Sequence, residues 1–280
     1  MIGYALRLQL VKQALAIKHP SNIDQAFSRR RQNGLTQPKQ VPMHQTLLHA
    51  FTLHAANCYP NECCGLIIQQ GKKPCYVPCD NKATNKADEF VIDPLQYADI
   101  EEQGQIIGIC HSHPDASSKP SQRDIAMCEA SGLPWHILSW PDGDLRSMVP
   151  TGERQPLLGR PFVHGVWDCY SCVRDWYHDV QSILLPDFER QDGWWEGEQE
   201  LYLDNFAKAG FVAQPYINFA DLQIGDGILM QIQSQRVNHA AVYVGEGKIL
   251  HHLYGRLSRY DIYGGYWQRN TRVIVRYVTE

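Results

Sequence analysis

From Pro42 to Cys58 the apolar residues Leu47, Leu48, Phe51 and Ala55 recur at helical spacing, and Pro60-Asn61 stops the pattern, which predicts a helix leading into the next element. Short apolar runs bounded by Gly, Pro, Asn or Asp follow at Cys64–Ile68, Tyr76–Cys79 and Phe90–Ile92 and predict strands. Pro94–Gln103 and Gln122–Glu129 read as helices, and Gln105–Cys110 and Trp135–Trp140 as strands, so the first half is α/β. Pro150–Pro161 has three prolines, two glycines and little periodicity, and the domain boundary is placed there. Beyond it, Asp168–Val180 and Glu198–Ala209 have helical character, with Gly210 as a stop. Gly227–Ile232, Asn238–Val244, Lys248–His252 and Arg272–Val278 read as strands. Helices before sheet is an α+β order.

The expected organisation is therefore a basic extension over 1–42, an α/β domain over 43–149, a linker over 150–158 and an α+β domain over 159–280. Of 280 residues, 44% are apolar and 20% charged, which suits a folded chain. The net charge of −4 provides no overall basic field, so nucleic acid is not an expected partner, and no apolar run is long enough for a membrane span. Residues 1–42 depart from the rest, with seven Lys/Arg and the single acid Asp24. Two readings stand for them: a mobile or non-native leader upstream of a start at Met43, dispensable to both folds, or a basic arm for a partner surface. Arg7 and Lys12 interrupt any signal-peptide core. Nine cysteines, an odd number in a chain large enough to build its own cores, point to reduced thiols and a reducing compartment.

His111-Ser112-His113-Pro114 follows directly on an expected strand, and Ser121-Gln122-Arg123-Asp124 opens the next expected helix. Histidines at i and i+2 on extended chain project to one side, and Asp124 can add an oxygen ligand. Two imidazoles and a carboxylate leave one tetrahedral position of Zn²⁺ for water, whose pKa falls toward ~7 when bound. Ser121-x-x-Asp124 equally reads as a helix capping box with no chemistry attached. The ordered set, with Glu62 in Pro60-Asn61-Glu62-Cys63-Cys64-Gly65, resembles the JAMM/MPN metalloprotease family. That resemblance implies one Zn²⁺ held by His111, His113 and Asp124, Glu62 as general base, and Ser121 as a stabiliser of the developing oxyanion.

In the second half, Asp168-Cys169 opens an expected helix, where the positive end of the helix dipole favours a thiolate. His239 and His251 lie in neighbouring expected strands joined through Gly245-Glu246-Gly247, close enough for one ring to orient the other. Cys172 is a second, less well-placed thiol. This half resembles the NlpC/P60 cysteine peptidases, of α+β papain-like fold. The resemblance implies Cys169 as nucleophile, His239 as base and then acid, and His251 as the orienting third member. One departure is visible: Pro161-Phe162 stands where that family often has Pro-Tyr, so this segment offers no aromatic hydroxyl for oxyanion or substrate contacts.

A JAMM/MPN-like domain followed by an NlpC/P60 domain resembles the K family of tail tip assembly proteins of lambda-type phages and prophages. The resemblance implies a two-domain peptidase of tail tip assembly: zinc-dependent amide or isopeptide hydrolysis in the first half, and thiol-dependent hydrolysis of peptidoglycan stem peptides or of a tail protein in the second. Tail tip proteins are the implied partners, in the host bacterial cytoplasm during assembly or retained in the virion tail tip. The alternative is a non-catalytic assembly scaffold that uses two peptidase folds as binding modules.

Overall fold

The computed structural model describes residues 41–190, 193–215 and 219–278. The expectations for residues 1–40, leader or basic arm, lie outside the described residues. The chain divides between Gly152 and Glu153 into two compact units.

In the first unit, helix α1 (Gln45–Cys58) buries Leu47, Phe51 and Ala55, the face its spacing predicts. Val41 packs in the same cluster with Cys63, Ile67, Cys110 and Leu138, so the core uses a side chain that lies ahead of Met43. Strands β1 (Cys64–Gln70) and β2 (Lys73–Cys79) form a hairpin. The other face of the sheet packs Cys64, Leu66 and Ile109 against Ile100 of α2 (Pro94–Glu101) and Cys128 of α3 (Gln122–Ser131). With β3 (Gln105–Pro114), β4 (Trp135–Trp140) and β5 (Leu145–Met148), the sheet order is β2-β1-β3-β4-β5. Only β3 and β4 run parallel, and α3 provides the crossover that parallel neighbours require. His111 and His113 thus come at the carboxyl end of β3 and Asp124 in the first turn of the helix that leaves it.

The strand expected at Phe90–Ile92 is instead a loop with a single bridge between Asn81 and Ile92. The Asn81 side chain takes over the pairing that a ladder would provide. Its amide donates to the carbonyls of Glu62 (3.1 Å) and Glu89 (2.8 Å), and its oxygen accepts from the amides of Ala83 and Val91. Side-chain competition of this kind is what makes Asn a loop former.

The second unit lays helix α4 (Cys169–Trp176) on an antiparallel sheet. Its strands are β6 (Phe211–Ala213), β7 (Gly227–Met230), β8 (His239–Gly245), β9 (Lys248–His251), β10 (Arg259–Ile262) and β11 (Thr271–Tyr277). They are ordered β10-β9-β8-β7-β11-β6. Cys172, Val173 and Trp176 pack with Leu229, Ala240 and Val242. The turn between β8 and β9 holds Gly245, Glu246 and Gly247 all at positive φ, which glycine accepts without strain at the outer positions. The helix expected over Asp168–Val180 passes at Tyr177–Gln181 into a π turn closed by Ser182 in the left-handed region. That expected over Glu198–Ala209 shortens to α5 (Leu201–Asn205), because irregular turns occupy the approach to Gly210. Short strands β6 and β10 and helix α6 (Tyr266–Asn270) have too few residues to give a periodic signal.

The stretch expected to be a linker is tied down at both ends. The Thr151 and Gly152 amides donate to Glu129 in the first unit, while Leu157 packs on the core of the second.

Candidate active sites

In the first unit, the amide of Cys63 donates to Ser112 Oγ (2.9 Å) and the amide of Ser112 to the Cys63 carbonyl (3.1 Å). These bonds lock the start of β1 to the end of β3 and set Glu62 beside the histidines. His113 Nδ1 lies 2.8 Å from the Ser117 carbonyl, which can only accept, so that nitrogen carries the hydrogen and Nε2 keeps its lone pair. His111 Nε2 lies 3.1 Å from His113 Nε2 and 3.1 Å from Asp124 Oδ1, and His113 Nε2 is 3.4 Å from Asp124 Oδ2. One ligand atom from each residue falls within 4.8 Å of the others, the only such cluster among the described residues. Two imidazole nitrogens and one carboxylate oxygen, with one imidazole held by a carbonyl from behind, fit the donor set that Zn²⁺ prefers. The cysteine spacings Cys75-x3-Cys79 and Cys169-x2-Cys172 form no comparable cluster among the described residues.

Glu62, His113, Ser121 and Asp124 line one cavity of about 580 Å³, walled by Phe90 and Trp135. Burial pushes the Glu62 carboxyl up to about 8, with His113 pulling the other way and Asp124, Asp88 and Glu89 adding to the rise. Burial would likewise raise Asp124, but the His111 and His113 rings beside it, with Ser121, overcome it and hold this carboxyl well below the usual range. Two carboxyl groups in one cavity are thereby driven apart, one toward proton carrying and one toward permanent charge. Burial lowers His111, while Asp124 and Ser117 raise His113 against the same cost. Ser121 Oγ accepts from the Asp124 amide (3.1 Å) in a capping box, and the residue lines the cavity. Phe90 stacks on the His111 ring with centroids 4.7 Å apart. No motif flags it, since only Asn81 and the loop it laces bring it there.

In the second unit, Cys169 is the first residue of α4 and Asp168 is its N-cap, accepting from the Ser171 amide at 2.9 Å. Cys169, His239, Tyr202 and Trp267 line one cavity of about 760 Å³. Burial pushes the Cys169 thiol up to about 11, with Asp168 adding to the rise and Tyr202 opposing it. Burial, with His251 and His252, holds His239 well below its ordinary value. Burial thus disfavours the charged form of each group. His239 Nε2 lies 3.0 Å from His251 Nδ1, reaching it diagonally in a ladder where His251 stands opposite Ala241. His251 and His252 are both buried rather than solvated. Cys172 is fully buried, its sulfur 3.9 Å from the Leu157 carbonyl and its thiol pushed up to about 12 by burial, outside the cavity wall.

Three residues beyond the sequence motifs join this site. Tyr202 of α5 places its hydroxyl 3.0 Å from Cys169 Sγ, while Phe162, in the Pro-Phe segment, stacks edge-on against His252 and Tyr254. An aromatic hydroxyl therefore does meet the thiol, from a different element. Arg190, wholly buried, donates to the Asp168 cap at 2.6 Å and to Asp187 at 2.7 Å. Asp261 of β10 lies 3.1 Å from His251 Nε2. Its only sequence signal is the alternation Arg259-Tyr260-Asp261-Ile262.

These folds and groups define a chain of two peptidase-type units, the first of JAB/MPN type and the second of NlpC/P60 type. A family model described as prokaryotic homologs of the JAB domain matches residues 44–151, and that of the NlpC/P60 family matches 159–276. Tail tip assembly protein K of Escherichia phage N15 is 43% identical over 84% of this chain and 96% of its own length. The protein of the same name from Escherichia phage lambda is 38% identical over 66% of this chain and 89% of its own. Among solved structures, a JAB1/MPN domain protein from Archaeoglobus fulgidus is 19% identical, covering 40% of this chain and 89% of that one, with a TM-score of 0.27. The chain belongs to the tail tip assembly protein K family.

Proposed function

We propose that this chain is a two-headed peptidase of phage tail tip assembly, with tail tip proteins as partners. The first head hydrolyses an amide or isopeptide bond with Zn²⁺, and the second cleaves a peptide, a peptidoglycan stem peptide or a tail protein, through a thiol. The observation that carries this reading is that each unit gathers its candidate groups at one cavity: Glu62, His113, Ser121 and Asp124 line the first, with His111 against His113 and Asp124, and Cys169 and His239 line the second, with His251 behind His239. Among the described residues no helix is long and apolar enough to cross a membrane.

In the first head, His111, His113 and Asp124 would hold the ion. Zn²⁺ bound there supplies Lewis acidity, polarising the scissile carbonyl and acidifying water. Glu62 takes the proton from the attacking water and returns it to the leaving amine, a task its buried, upward-shifted carboxyl suits. The Ser121 hydroxyl donates to the oxyanion as it develops. In the second head, His239 removes the Cys169 proton as sulfur attacks the carbonyl carbon. His239 then protonates the leaving amine, and a water releases the acyl group from sulfur. Burial raises the Cys169 thiol and lowers His239, so the proton starts on sulfur.

The test is to incubate the protein with purified peptidoglycan and with tail tip proteins and to identify the products by mass spectrometry. Cys169→Ala should abolish stem-peptide products, and chelation or Glu62→Gln should abolish the products of the first head. Normal tail assembly and infection by phage carrying both Cys169→Ala and Glu62→Gln would favour the scaffold.

A further inference from the structure

Four side chains on three adjacent strands of the second sheet form one hydrogen-bonded line. His239 of β8 meets His251 of β9 between Nε2 and Nδ1 at 3.0 Å, and His251 Nε2 meets Asp261 Oδ2 of β10 at 3.1 Å. Arg259 donates to that same Oδ2 at 2.9 Å. In the ladder Arg259 stands opposite His251 and Asp261 opposite Ile249, so the carboxylate reaches the ring across the diagonal.

The order of hydrogens along this line is determined. An ionised carboxylate has none to give, so His251 Nε2 carries one. Burial lowers His251, with Arg259 and Arg256 pushing the same way and Asp261 opposing them, so the ring holds a single hydrogen and its Nδ1 accepts. His239 Nε2 must therefore donate. His239 is also kept neutral, by burial with His251 and His252 and against Asp168, so its lone pair sits on Nδ1. That atom has no hydrogen-bonding partner among the described residues, and its ring lines the cavity it shares with Cys169. We infer that Asp261 is a positioning residue which fixes, through His251, the tautomer in which His239 offers Nδ1 as the base. Without the carboxylate, His251 is free to carry its hydrogen on Nδ1, which turns His239 Nε2 into the acceptor and puts a hydrogen where the base should be. Arg259 pins the carboxylate in place. The inference rests on the proposed pairing of Cys169 with His239.

Two readouts on the full chain test it, neither needing a substrate. Long-range ¹H–¹⁵N spectra report which nitrogen of His239 carries hydrogen, and mass spectrometry of the Cys169 peptide reports its rate of alkylation by iodoacetamide as a function of pH. The wild type should show His239 protonated at Nε2. Asp261→Ala, with its circular dichroism unchanged, should populate the Nδ1–H form and slow alkylation at neutral pH by about tenfold or more, and Asp261→Glu should restore part of the rate. His239→Ala should slow it as well. If His239→Ala slows alkylation while Asp261→Ala alters neither rate nor tautomer, the relay is wrong and the Cys169–His239 pairing stands. If His239→Ala has no effect, the pairing itself fails. A wild-type His239 protonated at Nδ1 overturns the inference even if the Asp261 variants do not fold.

Discussion

At Cys169 the hydroxyl of Tyr202 approaches the sulfur to 3.0 Å, both groups being buried. Donated from oxygen, this bond favours the thiolate that attack requires, and a hydrogen bond to a charged group contributes about 1.5–3 kcal/mol. Tyr202→Phe should therefore slow alkylation of Cys169 roughly tenfold. Faster alkylation would show that sulfur donates to oxygen instead. His136 presents a different residue-scale case. It is wholly buried, with Nδ1 2.7 Å from Ser147 Oγ and Nε2 without a partner, and burial pushes its pKa down to about 4. The unfolded chain binds a proton near pH 6.5, whereas the folded chain resists until about 4. Stability from this group is thus complete above 6.5 and drains away as pH falls toward 4. The urea midpoint should drop between pH 7 and 5, and the drop should be smaller in His136→Gln. Equal drops in the two proteins would refute the assignment.

The elements carry the sites through their ends. Helix α3 presents Asp124 in its first turn under a capping box with Ser121, so one pair of hydrogen bonds closes the helix and aims Asp124 at the His111 and His113 rings. Helix α4 begins at Cys169, and its Asp168 cap is braced by Arg190, which also holds Asp187 and the Gly165 carbonyl. All three charges are buried. Arg190→Met would leave the buried Asp168 carboxylate without its charge partner, while Asp187 keeps Arg174, and breaking a buried pair in this way costs about 3–5 kcal/mol. The loss should appear in denaturant unfolding, together with slower alkylation of Cys169 as the cap loosens. A variant as stable as the wild type would show that the network is dispensable.

At the scale of the whole molecule, each unit holds its own core and its own set of chemical groups on either side of Gly152/Glu153. The two chemistries should therefore separate. Metal analysis of Cys169→Ala should find one zinc per chain, whereas His113→Ala should lose the ion and still react at Cys169 like the wild type. Glu62→Gln should keep the zinc, since Glu62 stands outside the ligand cluster. Zinc retained by His113→Ala would refute the ligand assignment.

What was legible in the sequence is what is encoded locally. The i, i+2 histidines at a strand end, the Ser-x-x-Asp cap, the cysteine opening a helix and the two histidines across a tight turn depend on short-range geometry, and the structure brings each set together. The α/β and α+β character of the halves follows from periodicity, which any window of residues carries. Other features were decided only when distant segments met. Phe90 reaches His111 because Asn81 replaces a ladder with side-chain bonds. Tyr202 provides the hydroxyl that the Pro161-Phe162 segment lacks because α5 packs against the start of α4. Arg190 and Asp261 reach their partners 22 and 10 residues away through buried ion pairing and an edge strand of four residues. A hydrogen bond or a burial penalty between residues remote in sequence leaves no periodic trace, because it depends on the packing of whole elements rather than on neighbours along the chain.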